Sequence, residues 1–154
     1  MLFNFSCSDL NFDVVVVGGG TSGVASAIQS SRLGSKTLLI EESNWLGGML
    51  TSAGVSAVDG NYKMPSGFLK EFRDSLVSYY GHLDSLKTGW VSNFMFEPSV
   101  GNRILKDIAK QENNLTILYG STVSEVVKKE NFSIKVNELP SLYKAKILID
   151  ATEL

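Results

Sequence analysis

The sequence predicts an α/β fold with a parallel central sheet, helices on its faces and an antiparallel β-meander. The first observation is that an apolar strand, a glycine-rich loop, an amphipathic helix and a second apolar strand form a βαβ unit over residues 13–42. The second is a pair of helical patterns in the middle of the chain. The third is a change, in the last third, to short strands separated by polar turns.

The βαβ unit begins with DVVVVG, residues 13–18, a continuous apolar run that is typical of a strand buried on both faces of a sheet. KTLLIE, residues 36–41, predicts the second strand, and the crossover between the two is expected to be right-handed. Between them, residues 22–33 predict a helix that stops at Gly34 and has one buried stripe, made of Val24, Ala27, Ile28 and Ser31.

The rest of the chain predicts one long loop, two helices and the meander. Residues 43–64 are rich in Gly, Ser, Thr and Asn, which favours a functional loop over a free linker. The first helix, over residues 66–81, has an apolar stripe of Phe68, Phe72, Leu76 and Tyr79. The second runs from Pro98 to Asn113 and Asn114, with its apolar stripe at Val100, Ile104, Leu105 and Ile108, and with Lys106 and Lys110 facing out. Strands are predicted over residues 115–120, 122–130, 132–137 and 143–150.

Composition and charge favour a single ordered domain. Of the 154 residues, 44% are hydrophobic and 19% are charged, and the formal net charge of -2 argues against a nucleic-acid partner. No apolar run reaches about 18 residues, which argues against a transmembrane helix and a membrane partner. Residues 1–12 are interpreted as a leader that lacks the basic region of a signal peptide. Because Cys7 is the single cysteine, an internal disulfide and a redox dithiol are excluded, and a cytoplasmic location is predicted.

The glycine-rich loop matches the pattern G-x-G-x-x-G, with its glycines at Gly18, Gly20 and Gly23. In this pattern the first glycine permits a tight turn, the second lets the backbone approach a pyrophosphate, and the third lets the helix pack against the sheet. Thr21 and Ser22 then present backbone N–H groups at the positive end of the helix, where an anion is stabilised. The loop in its strand–helix context predicts a Rossmann-like dinucleotide-binding domain.

An acid closes the second strand. Glu41 lies 18 residues after Gly23, close to the separation at which the fingerprint places the acid that binds the ribose hydroxyls. A negative side chain there disfavours a ribose 2′-phosphate and therefore NADP. NAD and FAD both carry a free 2′-hydroxyl, so the spacing leaves both open. We interpret Glu42 as a solvated or supporting acid rather than a second ribose ligand.

DVVVVGGGTSGVASAIQSSRLGSKTLLIEESNWLGGMLTSAG, residues 13–54, resembles the N-terminus of FAD-dependent oxidoreductases of the glutathione-reductase-like and succinate-dehydrogenase-like flavoprotein superfamily. In that family a Gly-Gly pair follows the strand-end glutamate, and the resemblance implies that Gly47, Gly48, Met49 and Leu50 lie along the flavin half of FAD. It also implies that a backbone group of Val123 meets the adenine. Ala151 and Thr152, in ILIDAT, match the family's second FAD-binding strand.

The resemblance implies FAD as the cofactor and hydride transfer between FAD and an unknown small-molecule substrate, by catalytic residues that the sequence does not identify. In the family Ala-Thr is usually followed by Gly and then by Gly-Asp, whereas Glu153 stands in that position here. We therefore expect residues 13–154 to be the FAD-binding domain of a fragment, a truncated gene product or a decayed paralogue, whose missing C-terminal part carries the rest of the flavin site and the substrate domain. Two alternatives stay open: an NAD-binding dehydrogenase domain and a non-catalytic nucleotide-binding remnant.

The remaining residue patterns predict no separate catalytic or metal site. His82 is the single histidine and has no cysteine near it, so we expect a surface or packing role. Glu97 precedes Pro98 and is interpreted as an acid at a helix N-terminus. Four aromatic residues are candidates to wall a flavin or substrate pocket, although core or surface positions are the commoner explanation: Trp45, Trp90, Phe94 and Phe96.

Overall fold

The computed structural model describes residues 10–60, 62–90, 92–137, 139 and 141–152, so Cys7 and Glu153 lie outside the described residues. The strands are β1 (Leu10–Val17), β2 (Thr37–Ile40), β3 (Leu115–Leu118), β4 (Val123–Lys128), β5 (Phe132–Val136) and β6 (Leu142–Asp150). The helices are α1 (Thr21–Arg32), α2 (Gly67–Tyr80) and α3 (Pro98–Ala109), with short 3₁₀ turns at Gly48–Leu50 and Leu83–Leu86.

In the described part of the chain, the strands form one six-stranded sheet in the order β3-β2-β1-β6-β5-β4. β1 pairs in parallel with β2 and β6, and β2 pairs in parallel with β3. β4, β5 and β6 pair antiparallel in sequence, so the last strand belongs both to the meander and to the parallel sheet. The predicted α/β fold with a parallel centre and an antiparallel meander is confirmed.

Two predicted boundaries differ from the structure by three residues or more. β1 begins at Leu10, inside the predicted leader, because Leu10–Phe12 pair with Tyr143–Ala145 and Phe12 is buried. α3 ends at Ala109 instead of Asn113 and Asn114. Beyond it the chain tightens into turns, in which the N–H of Gln111 donates to the Ile108 carbonyl and the N–H of Glu112 to that of Ala109.

The sheet separates two hydrophobic cores, and this explains the uninterrupted apolar run in β1. Val14 and Val16 face the core beneath the three helices, where they meet Val24, Ala27 and Ile28 of α1. Val15 points to the opposite face, whose core is shared with Leu38, Ile40, Ile134 and Tyr143. Because successive side chains of a strand alternate between faces, a strand covered on both sides needs an apolar residue at every position.

The predicted apolar stripe of α2 is displaced from the observed one. Phe72 and Leu76 are buried, as predicted, and Phe72 meets Phe96 edge-on at 5.3 Å between ring centroids. Tyr79, however, is 50% exposed and packs beneath the guanidinium of Arg103 at 4.5 Å. Its neighbour Tyr80 packs against the core instead. The prediction that Tyr79 lies on the buried face is therefore wrong.

Arg32 ties the C-terminus of α1 to two other parts of the helical layer. Its terminal nitrogens donate to both carboxylate oxygens of Glu71 in α2, each at 2.7 Å. Its Nε donates to Glu112, in the turn after α3, at 2.7 Å. The hydrogen bonds from Arg32 hold the pKa of Glu71 below its ordinary value, against the opposing effect of burial.

We expect Arg32→Met to lower the free energy of unfolding by about 1 kcal/mol at pH 7. Because the pKa of Glu71 is lower in the folded than in the unfolded protein, its contribution is present above the unfolded pKa and is lost as the pH falls through the folded value. Urea denaturation at neutral pH and below about pH 4 checks this, since the difference between variant and wild type should shrink in acid. Lys70→Met, which removes an exposed ion pair with Asp74 within α2, is the control and should cost less. An equal effect of the two variants at pH 7 would contradict the prediction.

Candidate functional site

A cleft of about 490 Å³ lies at the carboxyl ends of the parallel strands. Its walls come from the ends of β1, β2 and β6, from the turn before β4, and from the segment that follows the first 3₁₀ turn. Ligands of open α/β sheets bind at this edge. The lining residues are Val17–Gly20, Ile40–Ser43, Gly48, Ser52, Ala53, Ser121–Val123, Val126, Leu148 and Asp150–Thr152.

Steric contact explains two glycines of the first loop. Gly18 has φ +96°, and a Cβ there would lie 2.4 Å from the carbonyl oxygen of Ala151. A Cβ on Gly23 would lie 1.9 Å from the carbonyl oxygen of Gly18. The end of β1, the start of α1 and the end of β6 are therefore in backbone contact, which no other residue type allows. Gly20 has φ -61° and ψ 178°, so its conformation is open to other residues, and it lines the cleft.

α1 begins at Thr21, directly after Gly20, and no side chain caps its N-terminus. The amides of the first turn, which includes Thr21 and Ser22, therefore lie next to the cleft at the positive end of the helix. Neither residue is among those that line the cleft in the described part of the chain. The Thr21 hydroxyl instead donates to the Gly47 carbonyl at 3.1 Å.

Glu41 lies in the cleft wall, and the residue is 8% exposed. Its Oε2 accepts the N–H of Gly19 at 2.6 Å, and its Oε1 accepts the N–H and hydroxyl of Ser43 at 2.8 and 2.6 Å. A carboxylate has about four acceptor positions, so the side chain is held in place and keeps capacity for a further donor. Burial, and then the negative charge of Glu41, raise the pKa of Tyr119. Glu42 is exposed at the rim, as expected for a solvated acid.

The second glycine pair is joined to the first loop. The N–H of Gly47 donates to the Gly19 carbonyl at 2.8 Å. Gly47 is buried with φ +109°, and a Cβ there would lie 2.7 Å from Leu105. Gly48 lines the cleft, whereas Met49 is 57% exposed and Leu50 packs at the edge of the helical core. The loop predicted for the flavin half thus runs directly beside the loop predicted for the pyrophosphate.

The end of β6 forms the opposite wall. The N–H of Ala151 donates to the Val17 carbonyl at 2.8 Å, which aligns this end with the glycine loop. The hydroxyl and N–H of Thr152 donate to Asp150 at 2.7 and 3.1 Å and lower the pKa of its carboxyl. Val123 and Val126 make one end of the cleft apolar, together with Leu148.

The structure thus brings part of the predicted set together in the cleft: Gly18, Gly20, Glu41, Gly48, Val123, Ala151 and Thr152. Other predicted residues adjoin it without lining it: Thr21, Ser22, Gly23, Gly47, Met49 and Leu50. The sequence interpretation missed Ser43, which could have been found because it follows the strand-end acid by two residues. It also missed Ser121 and Thr122, which follow a parallel strand and therefore reach the same edge of the sheet.

The other candidates lie away from the cleft. Phe94 and Phe96 are buried in the helical core, while Trp90 is 98% exposed. His82 is exposed, and its Nδ1 accepts the N–H of Asp84 at 3.1 Å. Glu97 immediately precedes α3, as expected.

The charge of the cleft wall is acidic. Its ionisable members are Glu41, Glu42 and Asp150, and no cationic side chain lines it within the described residues.

In the same part of the chain, no helix is long and apolar enough to cross a membrane.

Comparison with known proteins places this geometry in a family. A family model described as FAD dependent oxidoreductase matches residues 13–154. A digeranylgeranylglycerophospholipid reductase from Methanococcus vannielii is 29% identical in an alignment 148 residues long, which covers 92% of this chain and 38% of that protein. A glutathione reductase from Debaryomyces hansenii is 42% identical over 69 residues, 44% of this chain and 14% of that protein. The chain thus spans well under half the length of these curated relatives.

Solved structures share the fold. The closed crystal structure of cyclohexanone monooxygenase superposes with a TM-score of 0.63 and 17% identity, over 96% of this chain and 27% of that one. GidA from Aquifex aeolicus superposes with a TM-score of 0.61 and 21% identity, over 91% of this chain and 24% of that one. The match of the family model over residues 13–154 shows that the chain belongs to the FAD dependent oxidoreductase family.

Proposed function

We propose that residues 13–154 are the FAD-binding domain of an enzyme that transfers hydride between FAD and a small-molecule substrate. The observation that carries the proposal is the joining of the glycine loop, the buried Glu41 carboxylate and the end of β6 around one cleft. FAD, when bound, supplies the redox chemistry, and the chain binds and orients it. The relatives are much longer than this chain, which supports assigning the substrate contacts to a further part of the protein.

The described residues fit the two ends of the adenosine diphosphate half of FAD. A pyrophosphate at Gly20 would meet the first-turn amides of α1, which carry no side-chain cap. The wall offers it no lysine or arginine within the described residues, so the backbone amides and the helix dipole provide the favourable electrostatics. The ribose would lie at Glu41, whose carboxylate accepts hydroxyl protons, and the adenine at the apolar end formed by Val123, Val126 and Leu148.

The flavin half is assigned to the other side of the glycine loop. Gly48 and Thr152 lie in the cleft wall there, and Met49 and Leu50 follow in the adjoining turn. Gly47 contributes by fixing this turn to Gly19. Within the described residues the cleft is given no catalytic acid or base, because in hydride transfer the cofactor supplies the chemistry while the protein binds and orients the cofactor and substrate.

The experiment is flavin binding by the purified chain. We expect the protein to show the visible absorption band of oxidised flavin after reconstitution, at about one FAD per chain, and to bind ADP in competition with FAD. The negative charges of Glu41 and Glu42 should make NADP a poor competitor. A folded protein, judged by circular dichroism, that binds ADP but not FAD would instead support the non-catalytic nucleotide-binding remnant, and one that binds neither ligand would contradict the proposal.

A further inference from the structure

We propose that Asn102 and Lys106 of α3 are positioning residues for the ribose-binding carboxylate of Glu41. This inference rests on the proposed function. Both side chains lie outside the cleft wall, and they act through the loop of residues 42–46, which joins Glu41 to the second glycine pair.

Two contacts join α3 to this loop. The Oδ1 of Asn102 accepts the N–H of Leu46 at 3.0 Å, and the Nζ of Lys106 donates to the carbonyl of Asn44 at 2.5 Å. The two side chains are one helical turn apart and therefore lie on the same face of α3. The prediction that Lys106 faces out is wrong, because Lys106 is half-buried and contacts the loop at Asn44 and the ring of Tyr119.

The loop is held on its other sides as well. The Leu46 side chain is fully buried, and its carbonyl accepts the Thr51 hydroxyl at 2.6 Å. The ammonium of Lys106 lies 4.8 Å from the centre of the Tyr119 ring, and the N–H of the following Gly120 donates to the Ser43 carbonyl at 3.2 Å. These contacts hold the loop from several sides.

Ser43 connects the loop to the Glu41 carboxylate. The Ser43 hydroxyl accepts the N–H of Trp45 at 3.0 Å and donates to Oε1 of Glu41 at 2.6 Å. Asn44, the residue that Lys106 holds, lies between Ser43 and Trp45 in the chain. An ordered carboxylate binds a ribose more tightly than a mobile one, because the ligand does not have to order the site when it binds.

The test measures dissociation constants for FAD and for ADP, which contains the adenosine ribose and the pyrophosphate but no flavin. We expect Lys106→Met and Asn102→Leu each to weaken both ligands by the same factor, about 5- to 20-fold. Asn102→Asp keeps an acceptor oxygen for the Leu46 N–H and should restore most of the affinity. Lys110→Met is the matched control, since Lys110 is exposed directly after the end of α3, where its ammonium lies 3.8 Å from the carboxylate of Asp107.

The melting temperature of each variant without ligand separates positioning from stability. A positioning role predicts that Lys106→Met loses affinity while its melting temperature stays near that of Lys110→Met. Unchanged dissociation constants for Lys106→Met, or a loss of affinity equal to that of Lys110→Met, would overturn this inference and leave the proposed function standing. Absence of FAD and ADP binding by the wild-type chain would overturn the proposed function and this inference with it. If Asn102→Leu does not fold, the comparison of the two lysine variants decides the matter.

Discussion

Replacing Gly23 with alanine is expected to lower the free energy of unfolding by about 2 kcal/mol or more. The new Cβ would lie 1.9 Å from the carbonyl oxygen of Gly18 and 3.2 Å from the Cβ of Ala151. The first neighbour is a backbone atom, so relief requires α1 to move away from β1. In a helix, alanine is more favourable than glycine by about 1 kcal/mol of stability. This stabilisation is smaller than the cost of forcing two packed elements apart. Urea denaturation measures the result.

Two other glycines give matched controls for Gly23→Ala. Gly34 has φ +89°, and a Cβ there would have nothing within 4 Å, so Gly34→Ala adds backbone strain of about 1 kcal/mol and no steric clash. Gly20→Ala needs no positive φ, because φ -61° suits alanine, so it should cost less stability than Gly23→Ala, and it should weaken FAD binding because Gly20 lines the cleft. If Gly23→Ala is as stable as Gly20→Ala, close packing of α1 on the end of β1 does not explain the third glycine.

The predictable part of the fold is the part that local patterns determine. Val14, Val15 and Val16 predicted a strand buried on both faces, and the structure places them alternately in two cores. The stripe predicted for α2 is wrong at its C-terminal end. Tyr79 and Tyr80 both lie near the edge of the apolar face, and periodicity alone does not decide which of the two is buried. Packing against α3 decides it, because Arg103 covers the ring of Tyr79 at the surface.

The candidate site was predictable where it follows strand ends and unpredictable where it depends on distant contacts. Gly18, Gly20 and Glu41 follow β1 and β2, whose carboxyl ends meet at one edge. The Leu46 contact of Asn102 joins residues that are 56 positions apart, and the Asn44 contact of Lys106 spans 62. No local spacing indicates such pairs. Val126 and Leu148 were missed for a related reason, since both lie within strands and not at strand ends, so no local pattern indicates that they line the cleft.

Removing the carboxylate of Glu41 has the largest expected effect on cofactor binding. We expect Glu41→Ala to lower the affinity for FAD about 10- to 100-fold, because a hydrogen bond to a charged group contributes about 1.5–3 kcal/mol to binding. The affinity for ADP should fall by the same factor, since the ribose lies in the part that the two ligands share. The exposed neighbour provides the control: Glu42→Gln should change either affinity by less than about threefold.

Glu41→Gln is a sharper test of how the carboxylate is held. Its two oxygens accept N–H groups from opposite sides, Gly19 at 2.6 Å and Ser43 at 2.8 Å. An amide has one oxygen and one nitrogen, so in this geometry one of these contacts becomes donor against donor. We therefore expect the glutamine variant to bind FAD with an affinity nearer to that of Glu41→Ala than to wild type, although its volume is conserved. Wild-type affinity in Glu41→Gln would show that the ribose needs no charge at this position, and wild-type affinity in Glu41→Ala would remove Glu41 from the site.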